Sequence, residues 1–139
     1  MERIDVILLD THVLIRYLSG DKKLGKRSRS TIDSALAADE VFASAISYWE
    51  IAMLVAKQRL HLDTTVSALR ALAIRHGVQE DRVDGEVAIL AAELPESHAD
   101  PADRLLVATA MSRGLLLLTA DETLLAWKLR GYRAQDATA

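Results

Sequence analysis

The sequence predicts an α/β fold: a central parallel sheet of four to five short strands flanked by helices, in a single domain over residues 1–139. Three observations predict it. Residues 6–9 (Val-Ile-Leu-Leu) and 115–118 (four leucines) are short, unbroken apolar runs, the pattern of strands buried on both faces. Each run is followed within three residues by a carboxylate, Asp10 or Asp121, and then by a helical pattern. The intervening segments carry apolar residues at helical spacing, and strands alternating with helices imply parallel pairing through right-handed crossovers.

The first strand ends at Asp10-Thr11, and residues 11–18 read as a helix with Leu14, Tyr17 and Leu18 on one side. Gly20-Asp21 ends it. Lys22, Lys23, Lys26, Arg27 and Arg29 follow, five cations in eight residues. A helix over 30–37 turns Ile32 and Leu36 inward. Val41-Phe42-Ala43 is a short strand, and 44–57 an amphipathic helix whose inward face is Ile46, Trp49, Met53 and Ala56. Glu50 falls between Ile46 and Leu54 on that apolar side. A carboxylate there is costly unless it is paired or bound to a metal. The competing reading makes Ser47-x-x-Glu50 a capping box, with the helix starting at Ser47.

Residues 58–63 form a turn, and 64–76 a helix with Val66, Leu69, Leu72 and Ala73 inward. Gly77-Val78 begins either a short strand or an extended link. Residues 85–94 are helical, with Val87, Leu90, Ala91 and Leu94 at i, i+3, i+4, i+7, and Pro95 stops them. Asp100 then suits an N-cap and Pro101 the first helical position, which puts Asp103 third. That helix carries Leu106, Val107, Ala110 and Met111 on its apolar face and stops at Gly114. After the leucine strand, Asp121 caps a helix over 122–127. Gly131-Tyr132-Arg133-Ala134 reads as a short last strand, and the tail from Gln135 as frayed.

Composition narrows the function. The net charge is −3, from 17 basic and 20 acidic residues, which argues against a general nucleic-acid coating protein and leaves a local basic groove open. With no cysteine, disulfides, thiolate chemistry and cysteine zinc sites are absent. The first apolar run is too short for a signal peptide, and no stretch approaches the roughly 18 apolar residues of a membrane span. The expectation is a cytoplasmic protein with no membrane partner.

The chemistry lies in four carboxylates. Asp10 and Asp121 follow strands. Glu50 sits about two helical turns beyond the strand at Val41, and Asp103 opens the helix before Leu115. All four can meet at the carboxyl edge of the sheet. Taken singly, an acid at a helix start is ordinary capping chemistry; their convergence carries the functional case. Clustered carboxylates repel and hold protons unless a cation neutralises them. A hard, oxygen-loving ion, Mg²⁺ or Mn²⁺, suits such a set. It lowers the pKa of a bound water and clamps phosphate oxygens, so the natural reaction is hydrolysis of a phosphodiester.

Other chemistries fit less well. No Gly-x-Ser-x-Gly elbow is present. His12, His61, His76 and His98 are scattered, without zinc-type spacing, and read as surface or core residues. The stretch from Gly20 to Arg27 has Arg27 where a phosphate loop needs Ser or Thr. Asp10-Thr11 lacks the second Asp of the haloacid dehalogenase motif. A receiver-like domain would want a lysine on a late strand end, and residues 115–121 offer none.

The segments Leu8-Leu9-Asp10-Thr11-His12, Ser44-Ala45-Ile46-Ser47-Tyr48-Trp49-Glu50, Asp100-Pro101-Ala102-Asp103-Arg104-Leu105-Leu106-Val107-Ala108-Thr109-Ala110 and Thr119-Ala120-Asp121 closely resemble the PIN-domain ribonucleases, specifically the VapC-type toxins of bacterial toxin–antitoxin pairs. The resemblance spans nearly the whole chain, with the motifs in the family's order and spacing. It implies a PIN-like domain and a metal-dependent endoribonuclease. It also implies a VapB-type antitoxin that inhibits the enzyme and joins it in repressing their operon, so that operator DNA is reached only through the antitoxin. The family's acidic positions fall on Asp10, Glu50, Asp103 and Asp121. Asp10 and Asp103 are the expected direct metal ligands; Glu50 and Asp121 bind metal or orient water, with Asp100 and Thr11 in support. Lys22, Lys23, Lys26, Arg27, Arg29 and Arg104 are the expected RNA contacts, a solvated basic face being the alternative for the run. A homodimer is expected as well. The reading from another class is a catalytically silent PIN domain that binds RNA or a partner.

Overall fold

The computed structural model describes residues 5–95 and 100–139, so His98 lies outside the described residues. Five strands form one sheet: β1 (Ile7–Leu9), β2 (Val41–Ser44), β3 (Gln79–Asp81), β4 (Leu116–Thr119) and β5 (Arg133–Asp136). Their order is β3-β2-β1-β4-β5, and every neighbouring pair is parallel. Seven helices connect them among the described residues: α1 (Thr11–Ser19), α2 (Lys26–Ala37), α3 (Ala45–Ala56), α4 (Val66–Arg75), α5 (Gly85–Glu93), α6 (Pro101–Arg113) and α7 (Glu122–Ala126).

The two-residue period of a strand divides the apolar runs between two cores. Ile7 and Leu9 of β1 face one side with Val41, Ala43 and Leu118, where Val13, Leu14, Ile32, Ile51, Leu69 and Ala73 from α1 to α4 cover them. Leu8 and Leu117 face the other side, under Val87, Ala91, Leu106, Val107, Ala110 and Leu124 of α5, α6 and α7. Each fully buried leucine of this kind contributes about 1.5–3 kcal/mol relative to exposure. The unbroken apolar runs are thus explained: β1 and β4 have no solvent face to alternate with. Among the described residues no helix is long and apolar enough to cross a membrane.

Four local expectations are corrected. The helix after the first turn starts at Lys26 rather than Ser30, so Lys26, Arg27 and Arg29 are helical. The capping box is absent: Ser44 is the N-cap of α3, its Oγ accepting Ile46 N–H at 3.1 Å, and Ser47 lies buried inside the helix. The inward face of α3 is Ser47, Tyr48 and Ile51, while Trp49 is 52% exposed. Almost every residue of α3 is apolar, so periodicity alone selects no face.

The tail from Gln135 is not frayed. β5 runs to Asp136, and Ala137 is buried, its N–H donating to Thr119 O at 2.9 Å. The carbonyls of Ala137 and Ala139 then accept Gly25 N–H and Ser28 N–H, each at 2.9 Å. They satisfy donors that the start of α2 would otherwise leave unpaired, since Gly25 supplies no capping side chain. A Cβ at Gly25 would stand 1.9 Å from Ala139 O, so only glycine permits this approach.

Candidate active site

From the central strand β1 the chain moves to one side through β2 and β3, then returns on the other through β4 and β5. The carboxyl ends of β1 and β4 flank this reversal of direction, the place where open α/β sheets leave a crevice. Asp10 follows β1 and is buried, 5% exposed. It caps α1: Thr11 N–H donates to its Oδ1 at 2.7 Å. Its Oδ2 accepts the Thr119 hydroxyl from the end of β4 at 2.6 Å. The same Thr119 oxygen accepts Asp121 N–H at 3.0 Å. Asp121 Oδ1 caps α7, accepting from Thr123 N–H and Leu124 N–H at 2.8 and 3.1 Å. Buried Thr11 donates its hydroxyl to Ser47 Oγ at 2.9 Å and so ties α1 to α3.

Above this base stand the other acids. Glu50, Asp100 and Asp103 each offer a carboxylate oxygen, and the three atoms lie within 4.8 Å of one another. Asp100 performs the capping of α6, its Oδ1 accepting Asp103 N–H at 2.8 Å. The Asp103 carboxylate therefore has no capping duty. Its pKa is pushed up to about 7, first by burial and then by the negative charges of Asp100, Asp10, Glu50 and Asp121. Glu50 is raised by burial, partly opposed by the Thr11 hydroxyl beside it, with Asp100 and Asp10 adding to the rise. Burial raises Asp10 too, against the hydrogen bonds from Thr119 and Thr11 that favour its charged form.

The structure thus brings Glu50 and Asp103 together with Asp100, while Asp10 and Asp121 stand outside that trio and act on Asp103 through their charge. Asp100, expected only in support, offers an oxygen within 4.8 Å of both Glu50 and Asp103. Among the described residues no lysine or arginine forms an ion pair with any of these five acids. An all-oxygen set with surplus negative charge fits a hard divalent cation, which would remove the repulsion that drives protons onto Asp103.

The sequence assigns no role to Thr119 and offers Ser47 only as a helix cap, although both lie inside the motifs. Their hydroxyls fix Asp10 and Thr11. His12 was read only as surface or core; it is exposed, and positive charge on it favours ionisation of Asp10 and Glu50.

The basic residues divide. Lys22, Lys23, Lys26 and Arg27 are exposed, and among the described residues none forms an ion pair. Gly25 and Ser28 are bonded to Asp136 at the end of β5 and to Ala137 and Ala139 just beyond it, which brings the start of α2 to the carboxyl edge of the sheet, where the acids also lie. Arg29 is half-buried, its guanidinium 5.3 Å from the centre of the Tyr17 ring. Arg104 departs from expectation. Its guanidinium donates to the carbonyls of Ala91, Ala92, Leu94 and Pro95 at 2.6–3.4 Å and lies 5.9 Å from the Trp127 ring centre. It caps the C-terminal end of α5, satisfying carbonyls with no helical partner, and is not free to face RNA.

The PIN domain family model matches residues 7–126. Ribonuclease VapC22 of Mycobacterium tuberculosis (strain ATCC 25618 / H37Rv) is 34% identical over 128 residues, covering 91% of this chain and 92% of that protein. A chain of the DNA-bound VapBC from Salmonella typhimurium superimposes with a TM-score of 0.63 at 21% identity, covering 94% of this chain and 96% of that one. A chain of a toxin–antitoxin complex from Klebsiella pneumoniae gives 0.57 at 20% identity, covering 91% and 98%. At these identities the two solved structures speak to the fold.

Proposed function

The chain belongs to the PIN-domain family, and from that premise we propose that it is a Mg²⁺- or Mn²⁺-dependent endoribonuclease toxin, held inactive by a VapB-type antitoxin. The observation that carries this reading is Asp103, half-buried, without a capping role and under the charge of four other carboxylates, none of which pairs with a lysine or arginine among the described residues. A protein keeps so costly an arrangement where a cation and a phosphate come to use it.

Asp10 and Asp103 are the direct ligands in this proposal, with Glu50 and Asp121 completing the set and Asp100 beside them. A divalent ion bound there supplies a more acidic water and a counter-charge for phosphate oxygens. Thr119 and Thr11 N–H hold Asp10 in one orientation and favour its charged form against the effect of burial. Glu50 and Asp121 orient a water or accept its proton in this proposal. Lys22, Lys23, Lys26 and Arg27 hold flanking phosphates of the RNA, which a single acidic cluster would repel. The family premise supports a homodimer that binds its antitoxin, reaches operator DNA only through it, and acts on cytoplasmic RNA.

Incubating the purified protein with total RNA, with Mn²⁺ and with EDTA, and mapping new RNA ends tests the proposal. Discrete new ends that require Mn²⁺ are expected. Intact RNA, bound but uncut in Mn²⁺, would make the chain a binding module instead.

A further inference from the structure

Outside the acid cluster, α3 exposes a large indole that contributes nothing to either core. Trp49 lies one residue before Glu50 and is 52% exposed. It lines a cleft of about 290 Å³ with Glu50, Met53, Lys57, Arg59 and Asp100. Trp49, Met53 and Lys57 are spaced four apart, so they form one row along the helix surface. The row begins at the acids and runs from an aromatic plate through a flexible apolar side chain to a cation, with Arg59 beyond. Two of the cleft's walls, Glu50 and Asp100, belong to the acid cluster itself. Whatever occupies the cleft therefore borders the acid cluster.

We infer that this cleft is a nucleotide subsite: one base of single-stranded RNA, next to the phosphate that is cut, stacks on Trp49, and the following phosphate meets Lys57 and Arg59. The inference rests on the nuclease reading for what lies beside it, and on the cleft alone for its chemistry. Aromatic faces bind unpaired bases in this way, and cations beside them take the backbone charge. A protein segment would find an apolar floor of the same kind. The exposed cations at one end and the acid cluster at the other match a strand whose phosphates alternate between a divalent ion and basic side chains. The site also gives a source of base preference that the carboxylates lack, because they see only phosphate.

The test uses short single-stranded oligoribonucleotides and the full-length protein, with thermal melts to show that exposed Trp49 is dispensable for folding. In EDTA, binding should quench tryptophan fluorescence in the native protein. Trp49→Phe should abolish most of the quench while keeping affinity within a few-fold, and Trp49→Ala should weaken binding roughly 5- to 150-fold. In Mn²⁺, Trp49→Ala should raise KM and blur the base preference at the mapped ends, with Mn²⁺ still stabilising the fold as in the native protein. Quenching that survives in Trp49→Phe, or unchanged affinity, KM and ends in Trp49→Ala, overturns the inference. So does a Trp49→Ala protein that handles RNA normally but no longer associates with its co-expressed antitoxin, which would make the cleft a protein groove. Should the native protein cut no RNA while the quench and its loss hold, the subsite stands and the nuclease reading fails.

Discussion

Thr119 donates its hydroxyl to Asp10 Oδ2 at 2.6 Å and, through the same oxygen, accepts the N–H of Asp121 at 3.0 Å. One side chain on β4 thus joins the acid that ends β1 to the acid that starts α7. The bond lowers the pKa of Asp10 against the larger rise caused by burial, so Thr119 favours the charged form of Asp10.

Thr119→Val keeps the shape and removes the bond. It should cost about 1–3 kcal/mol of stability, the penalty for leaving a buried acceptor unsatisfied. Asp10 should then ionise at higher pH, so the rising acid limb of Mn²⁺-dependent cleavage should move to higher pH. Thr119→Ser restores the donor and should return the profile. A Thr119→Val pH profile superimposable on the native one would show that Asp10 is not a titrating part of the reaction.

Asp103 makes the sharper test. Its carboxyl changes from an ordinary 3.8 to about 7 on folding. Between those values the folded chain holds a proton that the unfolded chain has released, so stability falls as pH rises through that window. Burial of Asp10 and Glu50 acts in the same direction. In EDTA, the melting temperature should drop between pH 5 and pH 7.5, order-of-magnitude limits set by that window. In Asp103→Asn the drop should be smaller, with metal-free stability equal or higher. Stabilisation by Mn²⁺ should grow with pH in the native protein and shrink in the mutant, whose RNA cleavage falls by orders of magnitude. A less stable Asp103→Asn that still cuts RNA would defeat the metal-site reading.

Much of this was legible before the structure. Glu50 and Asp103 can be grouped from sequence because strand ends and helix starts leave few places for a carboxylate to go. Lone strands such as Gln79–Asp81 were harder: three polar residues carry no apolar pattern, and β3 forms because β2 offers it an edge. Residues 137–139 were misread because Ala-Thr-Ala has no periodicity, and its anchoring comes from Gly25 and Ser28 over a hundred residues away. Trp49 was placed inward because a helix apolar on all sides gives sequence no means to choose its buried face. Asp100 was set too far from the action, since its capping role in sequence hid its closeness to Glu50 in space.

The cations at the start of α2 should act through salt. If Lys22, Lys23 and Lys26 meet phosphates, each adds about 0.7 to the slope of log affinity against log salt on a single strand. The triple alanine variant should lose up to roughly 2 from that slope. Thermal stability should barely change, because the three side chains are exposed and form no ion pair among the described residues. Equal slopes for the two proteins would reduce the run to a solvated face.

Arg104 should behave in the opposite way. Its guanidinium is shared among four carbonyls at the end of α5, and α5 packs on α6, which carries Asp103. Hydrogen bonds from a charged donor contribute about 1.5–3 kcal/mol, and a point-like ammonium cannot reproduce the planar fork. Arg104→Lys and Arg104→Gln should therefore both destabilise the fold by about that amount, Lys giving little rescue. The salt slope of RNA binding should stay at the native value, since no phosphate contact has been lost. Chemical denaturation beside an RNA titration separates the two roles. A normally stable Arg104→Gln with a shallower slope would return Arg104 to the RNA surface and show that its grip on α5 opens when RNA binds.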